Sequence, residues 1–264
     1  MPLPPELTDA VARFAAHREV LVATDFDGAL APLVLDPMSA RPVEGAMETL
    51  TALSDLPGTT VALVSGRALE PLRELSGADD PIVLVGSHGV ESSARPDGLV
   101  LTDEQRGLLD HLEEALDRLS EDYPGVRVER KPAGRVVHTR GLSRPLGEEA
   151  LEAAEALGEL HTSLVVTPGK EVVELAVAHV GKGAALVGLA RELGADAVLY
   201  AGDDVTDEDG FAALADDPDT ERAARHLSVR VGDGQTRARF RVADEHELVE
   251  LFRALLEARA GAVT

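Results

Sequence analysis

The chain has 264 residues, a formal net charge of −23 and 44% hydrophobic residues, a composition typical of a globular protein. The negative charge disfavours binding to nucleic acid or to an anionic membrane, and the absence of cysteine excludes disulfides, thiol nucleophiles and cysteine zinc sites. No run of about 18 apolar residues is present, and the start lacks the pattern of a signal peptide, so we expect a cytosolic protein with no membrane span.

The first third of the chain alternates short apolar strands with helices. The N-terminal segment is acidic and interrupted by prolines, and no element is predicted there. Beyond it, the sequence predicts strands at 20–24, 60–66 and 81–89, and helices at 43–56 and 67–76. Nearly continuous apolar strands separated by helices are typical of βαβ units in a parallel sheet.

The middle of the chain has a different order of elements. Two helices are predicted, each followed by a pair of short strands; these elements cover 103–123, 125–131, 134–140, 144–160 and 163–177. Pro132 and Ala133 suit the turn of the first hairpin. The order αββαββ is typical of an antiparallel sheet with helices on one side, which predicts a small inserted α+β domain.

The alternation of strands and helices resumes near Lys182 and continues to the end of the chain. The predicted elements are a helix at 183–194, a strand at 197–202, a helix at 207–215, a strand at 227–232 and a helix at 247–260. The fold class is therefore predicted to be α/β, a Rossmann-like parallel sheet core with an inserted α+β cap domain. We expect the core at 1–102 and 179–264 and the cap at 103–178.

Four of the predicted parallel strands end in polar residues or are followed directly by them. They are Asp25 and Asp27, Ser65-Gly66-Arg67, Ser87-His88-Gly89, and Asp203-Asp204. The carboxyl ends of parallel strands meet at one edge, where open α/β sheets bind their ligands. By itself, Asp-x-Asp-Gly indicates a turn or a helix N-cap as readily as a functional site. Polar clusters at the ends of four strands favour the functional site.

An acid-rich site of this kind suits a hard cation such as Mg²⁺, which often bridges to a substrate phosphate. One carboxylate can attack phosphorus while a second protonates the leaving oxygen and later activates water. Ser65 and the N–H groups after it can cradle an anion, and Lys182 can bring an ammonium to the same oxygens. Individually, however, Ser-Gly-Arg is a common helix start, and a lysine between glycines is usually a loop residue.

In this order, the residues resemble the haloacid dehalogenase superfamily, and more narrowly the trehalose-6-phosphate phosphatases. DFDGALAPLVLDP, ALVSGR, GSHGVE, the hairpin VERK…HTR, and GKG followed by YAGDDVTDEDGF are similar to that family in order and approximate spacing. The resemblance extends from about Val20 to the final helix. It implies a Mg²⁺-dependent phosphatase that converts trehalose 6-phosphate to trehalose and phosphate through an aspartyl-phosphate, with the insert as its cap.

The resemblance also implies roles for the residues at the strand ends. Asp25 would be the nucleophile and Asp27 the general acid/base, while Ser65 and Lys182 would hold the phosphoryl group. The Asp25 carboxylate, the Asp27 carbonyl and Asp203 would bind Mg²⁺, with Asp204 and Asp207 orienting its waters or occasionally binding it. The substrate would also contact Gly66, Arg67, His88 and Gly89.

Two readings remain open for the polar residues of the predicted cap. Glu129, Lys131, His138 and Arg140 alternate along the hairpin, which by pattern alone indicates a solvated sheet face. The family resemblance instead implies that they bind the sugar, together with Glu174. The histidines at 17, 111, 161, 179, 226 and 246 fall on predicted polar helix faces or loops, and no function is assigned to them.

The sequence departs from the family pattern at two places. Ala29 stands where threonine is usual, and Ala176-Val177 stands where Arg-Pro is usual, so substrate preference is less well defined than reaction type. The alternatives are a phosphatase for a sucrose-type or glycosylglycerate-type sugar phosphate, and a non-catalytic phosphosugar-binding protein. The expected partner is a small sugar phosphate, and we expect a monomer.

Overall fold

The computed structural model describes residues 3–95, 103–131, 133–161, 163–177 and 181–262. Its helices are α1 (Pro5–Ala15), α2 (Ala46–Ser54), α3 (Leu69–Ser76), α4 (Asp103–Asp122), α5 (Arg144–Glu159), α6 (Gly181–Leu193), α7 (Asp207–Ala215), α8 (Thr220–Arg225) and α9 (Glu245–Ala262). Its strands are β1 (Val20–Thr24), β2 (Thr59–Val64), β3 (Val83–Gly86), β4 (Glu91–Ser92), β5 (Arg127–Lys131), β6 (Gly134–His138), β7 (Val165–Gly169), β8 (Val172–Ala176), β9 (Ala197–Gly202), β10 (Leu227–Val231) and β11 (Phe240–Val242).

The described chain forms two compact units, one from the residues before 96 and after 180 and the other from the residues between them. Pro132, His179 and the domain limit predicted at 178–179 lie outside the described residues, and the limit predicted at 102–103 falls where the described chain resumes, at Asp103. Within the described ranges, none of the helices has both the length and the apolar character needed to cross a bilayer.

The first unit is built on a sheet whose strand order is β11-β10-β9-β1-β2-β3-β4. All neighbouring strands pair in parallel except β3 and β4, which are antiparallel. The predicted Rossmann-like parallel core is confirmed. β1 lies between β2 and β9, so the apolar run that opens the fold is the central strand.

Helices cover both faces of this sheet. Val20 and Val22 of β1 belong to an apolar cluster that also contains Phe14 of α1 and Phe252 of α9. Their neighbour Leu21 belongs to a second cluster, together with residues of α6 and α7. Because successive strand residues point to opposite faces, a strand covered on both sides must be apolar throughout.

The second unit is an antiparallel sheet of order β5-β6-β8-β7 with helices α4 and α5. Val137, Val173 and Leu175 are buried on one face, where Leu175 also lies close to Gly158 of α5. The predicted order αββαββ is confirmed. The register aligns Glu129 with Val136 and Val136 with Glu174, so both carboxylates lie on the face away from these helices.

Some local structure differs from the sequence prediction. The proline-rich start contains helix α1, because Pro5 occupies the first helical turn, where its missing N–H costs nothing. The short edge strands β4 and β11 were not predicted. Residues 87–89, predicted as strand, instead form a tight turn in which Ser87 and His88 have left-handed φ of 49° and 53°.

Candidate active site

The predicted polar residues of the first unit converge on one rim of its sheet. Asp25 follows β1, Ser65 follows β2 and Asp203 follows β9, and these three strands are adjacent. From β1 the chain builds outwards to β2 and β3, whereas β9, β10 and β11 extend the other way. The rim is therefore a topological switch point, where open α/β sheets form ligand crevices.

Asp25 and Lys182 form a buried pair at the centre of the rim. Lys182 begins α6 and donates from Nζ to Asp25 Oδ2 at 2.7 Å, while the Phe26 N–H donates to Asp25 Oδ1 at 2.6 Å. Burial raises the pKa of the Asp25 carboxyl to about 8, although the Lys182 ammonium opposes the shift. Burial lowers the pKa of Lys182, but the carboxylates of Asp25 and Asp207 outweigh it and hold that pKa above its usual value.

Asp207 is fully buried at the start of α7, and both of its carboxylate oxygens accept hydrogen bonds. Oδ1 accepts from Lys182 Nζ at 2.8 Å and from the Tyr200 hydroxyl, and Oδ2 accepts from the N–H groups of Asp203 at 2.9 Å and Asp204 at 3.0 Å. Asp207 therefore holds Lys182 and the loop after β9 in place. Sequence reasoning assigned no role to Tyr200, although it begins the family-like stretch YAGDDVTDEDGF and is a polar residue in an otherwise apolar strand.

The residues at this rim fit a divalent cation. One oxygen of each of Asp25, Asp203 and Asp207 lies within 4.8 Å of the others, a spacing that suits shared coordination. Asp203 Oδ1 is buried and has no hydrogen-bond partner within the described structure, which is costly for a carboxylate. Asp207 accepts four hydrogen bonds, two on each oxygen, whereas Asp25 accepts one on each, so Asp25 and Asp203 are the better ligands for a cation.

Two further observations agree with a cation at Asp203. Burial, together with the charges of Asp207 and Asp204, raises the pKa of Asp203 to about 6, and a bound cation would reverse this shift. Gly28 has φ of 73°, and a Cβ there would lie 2.1 Å from Asp203 Oδ2. A residue without a side chain is therefore required for Asp203 to approach the loop after β1.

Ser65 and His88 belong to two loops that are hydrogen-bonded to each other. The His88 N–H donates to the Ser65 carbonyl at 3.0 Å, and the Ser65 hydroxyl accepts from the Arg67 N–H at 3.2 Å. A Cβ on Gly66 would lie 2.6 Å from the His88 imidazole, so this glycine permits the close approach. Gly89, with φ of 101°, ends the turn.

Glu91 anchors these loops, a role that sequence reasoning did not identify beyond the similarity of GSHGVE to the family. Its Oε2 accepts from the Ser87 hydroxyl at 2.6 Å and from the Leu69 N–H at 3.2 Å. Glu91 thus fixes both the left-handed turn after β3 and the first turn of α3. Charge at the first turn of a helix is also favoured by the helix dipole.

Asp27 and Arg67 form a second ion pair on the rim. Arg67 Nε donates to Asp27 Oδ2 and Arg67 Nη2 donates to Asp27 Oδ1, both at 2.6 Å. The guanidinium also lies over the Phe26 ring, 5.6 Å from its centroid. The rim therefore contains two carboxylates two residues apart, each held by a different cation.

These side chains line a cavity of about 500 Å³. Its wall includes Asp25, Asp27, Ser65, Gly66, Arg67, His88, Lys182, Asp203 and Asp204, with Leu33, Val34 and Pro37 as apolar members. Asp207, Gly89 and Ser87 are not among the wall residues. A cavity of this volume with a charged floor can hold a phosphate and part of the group attached to it.

The predicted cap residues lie on the second unit and are already paired with each other. His138 Nε2 lies 3.0 Å from Glu129 Oε2, and Lys131 Nζ donates to both oxygens of Glu174 at 3.1 Å. Arg140, beyond the end of β6, is exposed, and its Nε lies 3.8 Å from Glu171 Oε2. These residues form a polar surface that donates and accepts hydrogen bonds, as a sugar requires.

The prediction that all of the unassigned histidines lie on polar helix faces or loops is wrong for His226. It is buried at the start of β10, where Nδ1 accepts from the Val198 N–H at 3.1 Å and Nε2 faces Asp217 Oδ2 at 3.2 Å. Burial lowers the pKa of His226, although Asp217 opposes the shift. Its surroundings come from residues distant in sequence, so the local pattern gave no sign of burial.

The parallel sheet, the acidic rim at its switch point and the inserted antiparallel unit are together the features of the haloacid dehalogenase phosphatases. The trehalose-phosphatase family model matches residues 23–246. The chain is 39% identical over 213 residues to a trehalose-phosphate phosphatase of Mycobacterium avium, covering 77% of this chain and 53% of that protein. This chain belongs to the trehalose-phosphatase family.

Two further relatives cover almost the whole chain. A bifunctional trehalose-6-phosphate synthase/phosphatase of Thermoproteus tenax is 34% identical over 249 residues, which are 92% of this chain and 32% of that protein. The structure of Aspergillus fumigatus trehalose-6-phosphate phosphatase superimposes with a TM-score of 0.70 and 26% identity, covering 96% of this chain and 97% of the other. The chain thus spans about half or less of these curated relatives but nearly all of the solved phosphatase chain.

Proposed function

We propose that this chain hydrolyses trehalose 6-phosphate to trehalose and phosphate, in a Mg²⁺-dependent reaction through an aspartyl-phosphate on Asp25. The observation that carries the proposal is the pair of Asp25 and Lys182 on the floor of the cavity, with Asp27 on the same wall. The pair offers a carboxylate to attack phosphorus and an ammonium to hold the phosphoryl oxygens. Family membership supports the choice of substrate.

In the first half of the reaction, an Asp25 oxygen would form a bond to phosphorus as the bond to the sugar oxygen breaks. Asp27 would give a proton to that leaving oxygen. In the second half, Asp27 would take a proton from water as the water oxygen attacks phosphorus and the bond to Asp25 breaks. Inorganic phosphate and the Asp25 carboxylate would result, and Asp27 would regain its proton.

Other residues of the rim would balance charge during these steps. Lys182 and the Ser65 hydroxyl would donate to the phosphoryl oxygens, and Asp207 would hold Lys182 in position. Mg²⁺ would be held by the carboxylates of Asp25 and Asp203 and the Asp27 carbonyl, with Asp204 and Asp207 behind them. When bound, it would offset the repulsion between the carboxylates and the phosphate.

The second unit would select the sugar through Glu129, Lys131, His138, Arg140 and Glu174. Their hydrogen-bonding surface supports this role, and their present pairs would exchange partners with sugar hydroxyls. Ala176 ends β8 and is buried, so it supplies no polar group where the family usually has an arginine. A sucrose-type or glycosylglycerate-type phosphate is therefore kept as an alternative substrate, and the cytosol and a monomeric state remain expectations.

The proposal is tested by measuring phosphate release from a panel of sugar phosphates, with and without Mg²⁺. We expect trehalose 6-phosphate to have the highest kcat/KM, and chelation to abolish turnover. If another ester has the highest kcat/KM, the proposed substrate is wrong but the proposed reaction is unchanged. No release from any ester would favour the non-catalytic alternative.

Asp25→Asn is the matched test of the covalent step. The amide has nearly the same shape but cannot form the acyl-phosphate, so turnover should fall at least a thousandfold while the fold is retained. Trapping of labelled phosphate on the wild-type chain in an acid quench provides a second measurement. Activity of Asp25→Asn above about a thousandth of wild type would contradict the nucleophilic role.

A further inference from the structure

The pairing of Arg67 with Asp27 defines a role for Arg67 that differs from direct substrate binding. Arg67 presents two N–H groups to the two oxygens of Asp27, each at 2.6 Å, in the fork arrangement that suits a carboxylate. Its side chain is 14% exposed and that of Asp27 is 30% exposed. Arg67 provides the only side-chain hydrogen bonds to the Asp27 carboxylate given by the described structure.

The position of Arg67 is fixed from both sides. Its N–H donates to the Ser65 hydroxyl at 3.2 Å, and its carbonyl accepts from the Ser87 N–H at 2.7 Å. The guanidinium also lies against the Phe26 ring. Because both the backbone and the guanidinium of Arg67 are held in place, Arg67 is a rigid support for the carboxylate that it binds.

Asp27, in contrast, lies in a short loop with little other restraint on its side chain. Gly28, with φ of 73°, follows it, and the main chain returns at Ala31, whose carbonyl accepts from the Gly28 N–H at 2.7 Å. A bidentate arginine uses one lone pair on each carboxylate oxygen and leaves another on each free. Asp27 can therefore be held by Arg67 and still exchange a proton with a third group.

We propose that Arg67 is a positioning residue, which orients the Asp27 carboxylate for proton transfer and does not bind the phosphoryl group. This inference rests on the proposed function, in which Asp27 is the general acid/base. Because Arg67 binds both oxygens of the carboxylate, it would hold Asp27 in place while its proton passes to the leaving oxygen and negative charge develops on the carboxylate. It revises the substrate-binding role that the family resemblance implies for Arg67.

The leaving group separates the two roles. Departure of a sugar alkoxide needs a proton from Asp27, whereas departure of p-nitrophenolate does not. The value of kcat/KM reports only the steps up to loss of the leaving group, so a residue that acts through Asp27 affects the sugar ester alone. A residue that binds the phosphoryl group affects both esters equally.

The experiment compares Arg67→Lys and Arg67→Gln with the wild type on trehalose 6-phosphate and p-nitrophenyl phosphate. We expect kcat/KM for the sugar ester to fall about 10–100-fold, mainly through kcat, because misplacing a proton-transfer group costs about that much. For p-nitrophenyl phosphate, it should change less than about threefold. Arg73→Gln, which removes an exposed arginine paired with Glu70 on α3, is the matched control and should behave as wild type.

Two further measurements test the inference, and the second of them does not depend on turnover. The double variant Arg67→Gln/Asp27→Asn should be no worse on the sugar ester than Asp27→Asn alone, because residues that act as a unit are not additive. Calorimetry should give inorganic phosphate the same affinity for Arg67→Gln as for the wild type, within about threefold.

Equal losses on both esters, additive effects with Asp27→Asn, or a tenfold or greater loss of phosphate affinity would each overturn the inference. The proposed function fails by different results, namely an inactive wild type or a fully active Asp27→Asn. With an inactive wild type, the phosphate titration alone decides the matter, since a phosphoryl-binding arginine would still reveal itself there.

Discussion

At the scale of single residues, two cations divide the rim between them. Lys182 lies between Asp25 and Asp207, while Arg67 holds Asp27 alone. Asp25 and Asp27 are only two residues apart, yet their surroundings differ. Asp25 is buried and paired with the Lys182 ammonium, which can also donate to a phosphoryl group. Asp27 is more exposed and accepts two hydrogen bonds from the planar Arg67 guanidinium. This separation suits one carboxylate to attack and the other to carry a proton.

The first prediction concerns Ala29, where the family usually has threonine. Its methyl is fully buried in the apolar cluster beside Phe26 and Leu30, in the loop that carries both aspartates. We expect Ala29→Thr to raise turnover severalfold at saturating Mg²⁺, because a hydroxyl could bond a nearby loop group and hold the aspartates in register. Such a bond is worth roughly 0.5–1.5 kcal/mol, which limits the gain to about tenfold.

Ala29→Val provides the control, since valine and threonine have nearly the same shape. Steady-state phosphate release should improve for threonine and not for valine. If both variants lose activity, the space around residue 29 is too tight for either. A wild-type chain inactive on every ester but revived a thousandfold by threonine would show that the loop depends on this hydroxyl.

At the scale of elements, strand ends and strand faces supply the chemistry. At the ends of β1, β2 and β9, the residue that directly follows the strand is polar and lines the cavity. In the second unit, period-two alternation places apolar residues against α4 and α5 and polar residues on the opposite face. A sheet face bearing Glu129, Lys131, His138 and Glu174 can bind a polyhydroxyl group because it offers both donors and acceptors.

The second prediction tests that face. Glu129→Ala and Arg140→Ala should each reduce kcat/KM for trehalose 6-phosphate, while slow hydrolysis of an aryl phosphate stays nearly intact, because the aryl ester lacks the sugar that these side chains would contact. Glu148→Ala on α5, which removes an exposed carboxylate from the helical side, is the control. Equal losses on both substrates would mean that Glu129 and Arg140 support the fold and do not contact the sugar.

The third prediction concerns His226, which connects the start of β10 to β9. Its pKa is lowered in the fold, so folding favours the neutral ring, and Asp217, Arg222 and Arg225 are the charges that act on it. The unfolded chain takes up the proton near pH 6.5. The corresponding stability is thus present above about pH 6.5 and is lost as the pH falls through the lower, folded pKa.

Urea unfolding between pH 7.5 and 5 measures this effect. The free energy of unfolding of the wild type should fall more steeply with decreasing pH than that of His226→Gln, whatever the baseline stability of the variant. His246→Gln, which removes an exposed histidine of α9, should keep the wild-type slope. Parallel curves for His226→Gln and wild type would rule out the titration of this ring as a source of pH dependence.

The particular residues show which features the sequence could predict. The strand and helix order follows from apolar spacing, and the rim follows from the rule that parallel strands end at one edge. The partners of these residues do not follow, because they depend on packing between distant segments. Arg67 and Asp27 are 40 residues apart, and Lys182 and Asp25 are 157 apart. Local patterns carry no information on which cation meets which carboxylate, nor on the burial of Tyr200 and His226.

At the scale of the whole molecule, helix α9 connects separate segments of the first unit. α9 packs against α1 and α2, and its Arg259 is 1% exposed. The guanidinium donates to the Thr59 hydroxyl at 2.7 Å and to main-chain carbonyls at the end of α1 and in the connections before β1 and β2, those of Ala15, His17, Arg18, Pro57 and Gly58. One side chain thus ties the end of the chain to the segments that precede β1 and β2.

The last prediction follows from this arrangement. Arg259→Met keeps an unbranched apolar stem but removes the guanidinium, so several buried carbonyls lose their donor, and each such group costs about 1–3 kcal/mol. Some of these carbonyls will be reached by water, so we expect a total loss of roughly 2–4 kcal/mol and a Tm lower by about 5–10 °C. Differential scanning calorimetry measures the change, and Arg253→Met, on the exposed side of the same helix, should lower the Tm by no more than about 2 °C. Equal Tm values for the two variants would mean that the carbonyls find other donors, and that α9 is held to the first unit by its apolar face alone.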